Sequence, residues 1–372
     1  MRRLIVIFLS AGLMSACAPR GTVIVDPAAA SVGSVQTVYI ATTRGPDPES
    51  GEPFGAGRSK ETRYVRLGVA VPPVRGLGQI EWPRPHARPD PVHDFLATER
   101  DILSGPEAFR ATLSQQFRHK PAGKRDAVVF VHGFNMTFAE GAYRLAQLGH
   151  DLKLDSVLVH YSWPSRGHPL GYAYDRDSVL FARDGLQDLL EQVSAAGADH
   201  ITIAAHSLGS LLTVETLRQM ASSRSSSAVW RKISGVILFS PDIDVDVFHE
   251  QAAAIGELPQ PFVIFTSKRD KALALSARLT GERERLGNID GADEVADLAV
   301  TVMDTTAFST GAGHFDAADS ASLLAVLGQI ATAGGVLEGD GRVGLLAGTV
   351  VTVRNATQII MTPVAAMSGM SN

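Results

Sequence analysis

Cysteine is almost absent from these 372 residues: Cys17 is the only one, so no internal disulfide can form. Lysine and arginine total 34 against 39 acids, a net charge of −5, and nowhere form a basic block. That balance gives no support to a nucleic-acid partner. Beyond the first twenty residues no apolar run is long enough to cross a bilayer; the closest, residues 343–353, is too short and stops at Arg354. No internal repeat is present. With 45% hydrophobic and 20% charged residues the composition is that of a folded chain, and wholesale disorder is excluded. The length suits one large domain, or a domain with appendages.

The first sixteen residues read as a signal peptide. Arg2 and Arg3 supply the positive start, residues 4–14 an apolar core, and Ser15-Ala16 the small residues before a cleavage point. The sequence Met14-Ser15-Ala16-Cys17 resembles a bacterial lipobox. That resemblance implies that Cys17 is acylated and becomes the mature N-terminus, with the membrane as partner. Ala18 in the following position then points to the outer membrane, periplasmic face. The plainer alternative is a signal peptide with an incidental cysteine. Residues 17–34, small and polar, read as a tether between lipid and domain.

Residues 35–124 form an N-terminal extension. Within it, residues 37–42 and 64–71 read as strands. Residues 76–91 hold too much proline for regular structure, and residues 94–103 and 106–117 read as helices. From residue 125 to 333 apolar strands alternate with amphipathic helices. The strands are expected at 127–131, 156–161, 201–204, 235–239 and 261–266, and the helices at 138–152, 177–195, 211–220 and 320–332. This alternation implies an α/β fold, a mostly parallel sheet covered on both faces. In such a sheet chemistry sits at the carboxyl ends of the strands. The tail, residues 334–372, suggests one or two accessory strands without fixing their place.

The most informative stretch runs from Ile201 through Ala205-His206-Ser207-Leu208-Gly209 into Leu211 and Leu212. It is strand, sharp turn, helix, and it matches the nucleophile elbow G-x-S-x-G with Ala205 in the first glycine's place. In isolation such a serine is more often a cap or turn residue; the flanking strand and helix are what favour Ser207 as a nucleophile. A serine hydroxyl needs a base and an orienting acid. Asp270, a few residues past the strand ending at Thr266, is the candidate acid, against the plain alternative of a surface aspartate. Asp242, Asp244 and Asp246 compete, with His249 near enough in sequence to raise a metal site, but capping and turn roles fit them better. His314 is the only histidine after Asp270 and is the candidate base.

The oxyanion of acyl transfer needs backbone donors, and these are expected from Leu208 and from Phe134 or Asn135 in the loop that begins His132-Gly133. His132, Gly133 and Trp163 are candidates for the substrate pocket, although a tryptophan after a strand is more often core. Arg166, Tyr172 and Asp175 line or brace the entrance. This chemistry requires no metal and no organic cofactor.

The segments Val128-Val129-Phe130-Val131-His132-Gly133-Phe134-Asn135, Tyr161-Ser162-Trp163-Pro164-Ser165, Gly171-Tyr172-Ala173-Tyr174-Asp175, Ala205-His206-Ser207-Leu208-Gly209 and Asp270-Lys271-Ala272-Leu273 resemble an uncharacterised bacterial α/β-hydrolase family of the esterase/lipase superfamily. The likeness covers about residues 35–327, including the strand ending Ala41-Thr42-Thr43-Arg44. It implies an α/β-hydrolase fold and a triad of Ser207, Asp270 and His314, acting on a small-molecule or lipid ester. Two other functions stay open at this stage. One is a catalytically silent envelope scaffold or binding lipoprotein; the other is an acyltransferase that uses the same triad.

Overall fold

Strands that are apolar at every position can be buried only between two layers, and such strands make up the centre of this chain. The computed structural model describes residues 20–48, 52–222, 227–281, 284–308, 320, 321, 324, 349–355 and 358–363. Most of the expected helix at 320–332 and His314 lie outside the described residues, as do the expected signal segment and Cys17.

The strands are β1 (Ser34–Arg44), β2 (Arg58–Val71), β3 (Leu96–Leu103), β4 (Asp126–Val131), β5 (Val157–Ser162), β6 (His200–His206), β7 (Ile233–Phe239), β8 (Phe262–Thr266), β9 (Thr301–Asp304), β10 (Thr349–Asn355) and β11 (Gln358–Pro363). They form one sheet in the order β11-β10-β9-β8-β7-β6-β4-β5-β1-β2-β3. Pairing is parallel from β1 through β5, β4, β6, β7, β8 and β9 to β10. It is antiparallel at β1–β2, β2–β3 and β10–β11. The tail therefore supplies two strands, and the sheet runs through both the N-terminal extension and the tail.

The helices are α1 (Pro106–Arg118), α2 (Phe138–Asp151), α3 (Tyr172–Ala195), α4 (Leu208–Ser222), α5 (Val245–Ile255) and α6 (Lys271–Thr280), with a short helical turn at Ser227–Trp230. Alternate strand residues face opposite layers. Val129, Val131, Val159, Ile201, Ile203 and Leu238 pack with α1, α3, α4 and α5. Val128, Phe130, Leu158, Ala204 and Ile237 pack with α2 on the other face. Thr137 caps α2: its hydroxyl accepts from the Glu140 amide while the Glu140 carboxylate accepts from the Thr137 amide.

Two expectations are corrected. Residues 96–103 are strand, not helix. Leu, Ala, Glu and Arg are good helix formers, but this segment pairs with β2 from Leu96–Ala70 to Leu103–Tyr64. Arg66 there bridges Glu99 and Asp101 across the strands, and pairing of this kind overrides intrinsic propensity. The tether is shorter than residues 17–34, because from Arg20 onward the chain lies on the fold. Ile24 and Asp26 hydrogen-bond to Ala97 of β3, a 3-10 turn follows at Pro27–Ser31, and Ala29 is buried. After β7 the chain enters α5 behind the Asp244 cap, the capping role expected of that cluster, and after β8 it enters α6 behind Asp270.

Two histidines, His132 and His160, are wholly buried beside one another, with ring centroids 5.4 Å apart. Burial holds the His160 imidazole down to about 3, and burial with the nearby Arg44 guanidinium holds His132 well below 6.5. Both are neutral in the fold and titrate near 6.5 once unfolded. For His160 the neutral-form stabilisation is therefore complete above pH 6.5 and lost as pH falls toward about 3, and His132 acts in the same direction. Urea unfolding should show stability dropping between pH 6.5 and pH 5, His160 contributing about 2 kcal/mol to the fall. His160→Gln, which cannot titrate, should retain about 2 kcal/mol of that difference; an unchanged pH slope would show that His160 does not contribute.

Candidate active site

β6 ends at His206 and α4 begins at Leu208, so one residue, Ser207, makes the whole reversal from strand to helix. Its φ of 53° lies in the left-handed region that a non-glycine residue enters only under constraint. The constraint is visible on both sides. The Ser207 amide donates to Phe239 of β7 at 3.0 Å, and its carbonyl accepts from the amides of Ser210 at 2.9 Å and Asp242 at 3.3 Å. Gly209 is required by close approach: a Cβ there would lie 2.5 Å from the Val131 carbonyl oxygen and meet that of His132 closer still. With strand and helix this near, the serine is pushed out beyond the sheet edge.

The loop between β4 and α2 closes on the same point. A Cβ at Gly133 would fall 2.9 Å from the Cβ of Ser207 and 2.5 Å from Nδ1 of His206, so Gly133 brings the loop backbone against the elbow. Phe134 follows, then Asn135 at a φ of 58°. The Asn135 amide donates to the Asp175 carboxylate at 3.3 Å. Of the two loop amides, that of Asn135 is thus committed to Asp175.

Asp270 stands two strands away, after β8. It is 1% exposed, like Ser207, and caps α6 by accepting from the Leu273 amide at 2.9 Å through Oδ1. Adjacent strands lie about 4.8 Å apart, so β6 and β8 are separated by about 10 Å, room for one bridging side chain. His314, the expected bridge, lies outside the described residues. Asp242, the competing acid, is held by its neighbours: Tyr172 donates to it at 2.9 Å, Ser276 at 2.7 Å, and Arg285 stands 3.5 Å away. Burial and the Asp242 charge push the Tyr172 hydroxyl up to about 12, so it remains a proton donor. Asp244 caps α5 through the Val247 amide, and among the described residues no group of three or more His, Cys, Asp or Glu side chains is gathered to hold a metal.

Trp163 and His132, expected near the pocket, are both fully buried, in keeping with the core role that a tryptophan after a strand more often takes. The Trp163 indole donates to the His132 carbonyl at 2.7 Å and its ring stacks on the imidazole at 4.9 Å. Neither presents surface to a substrate. They support the loop from beneath.

The residue that organises this support is Arg44, at the end of β1 and 1% exposed. Its guanidinium donates to Ser162 Oγ and to the carbonyls of Gly55, Ser165 and Met136, at 2.7 to 3.1 Å. Its Nη2 also faces His132 Nε2 at 3.3 Å. The same Nε2 lies 3.0 Å from the Trp163 carbonyl, and Nδ1 lies 2.8 Å from that of Gly133, so the ring is held between two carbonyls and the guanidinium. Arg44 thereby ties the loops after β1, β4 and β5 to one centre. Burial lowers its own affinity for the proton to about 10, opposed chiefly by the charge of Asp175. Asp175, fully buried, accepts from Ser165 Oγ, the Arg166 amide and the Asn135 amide; burial, the largest influence, raises its carboxyl. The sequence placed Asp175 at the entrance or as a brace, and it is a brace.

Arg20 reaches the same loop from outside. It donates to the Asn135 carbonyl at 2.7 Å and side chain at 2.9 Å, and pairs with Glu140 at 2.6 Å. Sequence reasoning gave no role to Arg20 and none of its own to Arg44. A charged residue at the end of a β-branched strand, directly before Gly45, was the available signal for Arg44.

Replacing Arg44 with Met should cost about 3–5 kcal/mol, because three carbonyls and the Asp175 charge lose their buried partner. Lysine should recover little, lacking the planar fork. Urea denaturation of Arg44→Met and Arg44→Lys measures both; a loss under 1 kcal/mol would contradict the assigned role.

Residues 106–330 match the family described as alpha/beta hydrolase of unknown function (DUF900). No curated protein matches the chain. Among solved structures, the esterase Pf2001 of Pyrococcus furiosus is 12% identical, with 77% of this chain and 88% of that chain covered at a TM-score of 0.33. Esterase 2 of Thermogutta terrifontis, phosphoramylated by tabun, is 13% identical over 50% of this chain and 74% of that one, at a TM-score of 0.28. These scores are too low to carry weight, and the assignment rests on the family match over 106–330 together with the elbow and the parallel sheet. The chain belongs to the alpha/beta hydrolase family DUF900, and is a hydrolase by fold and by family.

Proposed function

We propose that the protein is a carboxylic ester hydrolase working through an acyl-enzyme on Ser207, held at the bacterial envelope by an acylated Cys17. The observation that carries this reading is the left-handed elbow at Ser207, pressed by Gly133 against a loop amide and followed at once by the amide of Leu208. A strained bend maintained by this much packing is hard to explain as a structural convenience.

In the proposed reaction Ser207 Oγ attacks the ester carbonyl carbon and His314 takes its proton, with Asp270 orienting the imidazole. The oxygen that gains negative charge is met by the amides of Leu208 and Phe134. The tetrahedral species collapses, the carbon–oxygen bond to the alcohol breaks, and His314 returns the proton to that alcohol. Water then attacks the acyl group with the same base, releasing the acid and restoring the serine. Burial of Ser207 and Asp270, each 1% exposed, keeps competing water away from the charges. Every group in this scheme is a side chain or an amide of the chain itself.

A fluorophosphonate probe tests the nucleophile. The wild type should label, Ser207→Ala should not, and equal labelling of the two would end the proposal. On a panel of nitrophenyl esters of graded chain length, Asp270→Asn and His314→Ala should each lower kcat by about three orders of magnitude or more. Retention of wild-type kcat in either variant would remove that residue from the scheme.

A further inference from the structure

The helix α6 begins at Asp270 and lies beside the site, since Ser276 on it shares a 2.6 Å hydrogen bond with Tyr172, whose ring packs edge-on against Phe134 at 5.5 Å. Its inner face is Leu273, Ser276 and Ala277, all buried. Its outer face is not polar. Leu275 is 57% exposed and Leu279, one turn further, 64%. Lys271 and Arg278 fall on the same stripe by helical spacing, both exposed, and exposed Arg269 precedes the helix. Leu170, the most exposed large apolar residue at 89%, stands two residues before Tyr172 and so on the same rim. Apolar side chains flanked by cations on one helix face are the pattern of a segment lying in a lipid–water interface.

We infer that this rim is a docking face for an anionic lipid bilayer, and that the site's substrate class is an acyl ester of a lipid in that bilayer; this rests on the ester-hydrolase reading above. Two features point to a membrane rather than a protein partner. The chain as a whole carries a net charge of −5, so attraction to an anionic surface comes from the local cluster of Arg269, Lys271 and Arg278. Arg20 also lies on this side. Arg20 is bonded to Asn135, next to Phe134 at the site, and Cys17 is only three residues upstream. Three residues span about 11 Å at most, so an acyl anchor on Cys17 would hold this end of the sheet, and no other, against the headgroups. The leucines then enter the acyl boundary, with α6 and the start of α3, joined through Ser276 and Tyr172, against the headgroups.

The test uses the full chain and compares turnover of a long-chain nitrophenyl ester dispersed in vesicles with that of a short soluble nitrophenyl ester. Leu275→Ser/Leu279→Ser should lower the ratio of vesicle to soluble turnover about tenfold on vesicles containing phosphatidylglycerol, with the soluble rate and the melting temperature unchanged. Arg278→Glu should lower the ratio on those vesicles and leave it unchanged on pure phosphatidylcholine. A ratio within about twofold of wild type in the leucine variant overturns the docking face. A wild type inert on both esters overturns instead the hydrolase reading on which this one rests.

Discussion

The structure depends on how closely β6 and α4 approach the end of β4. One residue reverses the chain between strand and helix, and the helix then starts against the carbonyls of Val131 and His132 with no space for a side chain at Gly209. A wider turn would need a longer connection and would lower the serine back into the sheet plane. The neighbouring strands make this possible. β6 is hydrogen-bonded to β4 on one side and β7 on the other, so neither partner can move aside to relieve the bend. Local strain is here maintained by global order.

Around that bend the loops are held by a small number of fully satisfied polar groups. Arg44 gathers the turns after three strands, and Asp175 fixes the amide of Asn135 and the Ser165 hydroxyl. A buried charge at this position is expensive unless each donor finds an acceptor, and its carbonyl acceptors come from chain segments far apart in sequence. The arrangement is specific for that reason, since a loop displaced by an ångström would leave a donor or a carbonyl without its partner.

The parallel core was legible because its strands, apolar throughout and rich in branched residues, have no alternative but a two-sided interior. The elbow was legible because its steric demands act within five residues. What escaped had long-range causes. The segment 96–103 carries helix-forming residues and became a strand because β2 offered it a partner and Arg66 a pair of acids. Trp163 and His132 looked like pocket walls because they follow strand ends, yet they stack on one another below the loop. Arg44 could not be understood from its own neighbourhood, as most of its partners lie about ninety to one hundred and twenty residues away. Asp242 and Asp270 were both plausible acids by position. In the fold Asp242 takes Tyr172 and Ser276, and Asp270 caps α6 through the Leu273 amide, contacts that neither neighbourhood announces in sequence.

One carboxylate has a double duty. Glu140 closes the cap at the start of α2 through Thr137, and it also receives Arg20 and the amide of Gly21 from the opposite end of the sequence. Removing Arg20 would therefore strip a cation from the helix cap and release the carbonyl of Asn135, softening the very loop that faces the serine. A residue at one end of the sequence thus bears, through a single carboxylate, on the order of the loop beside the elbow.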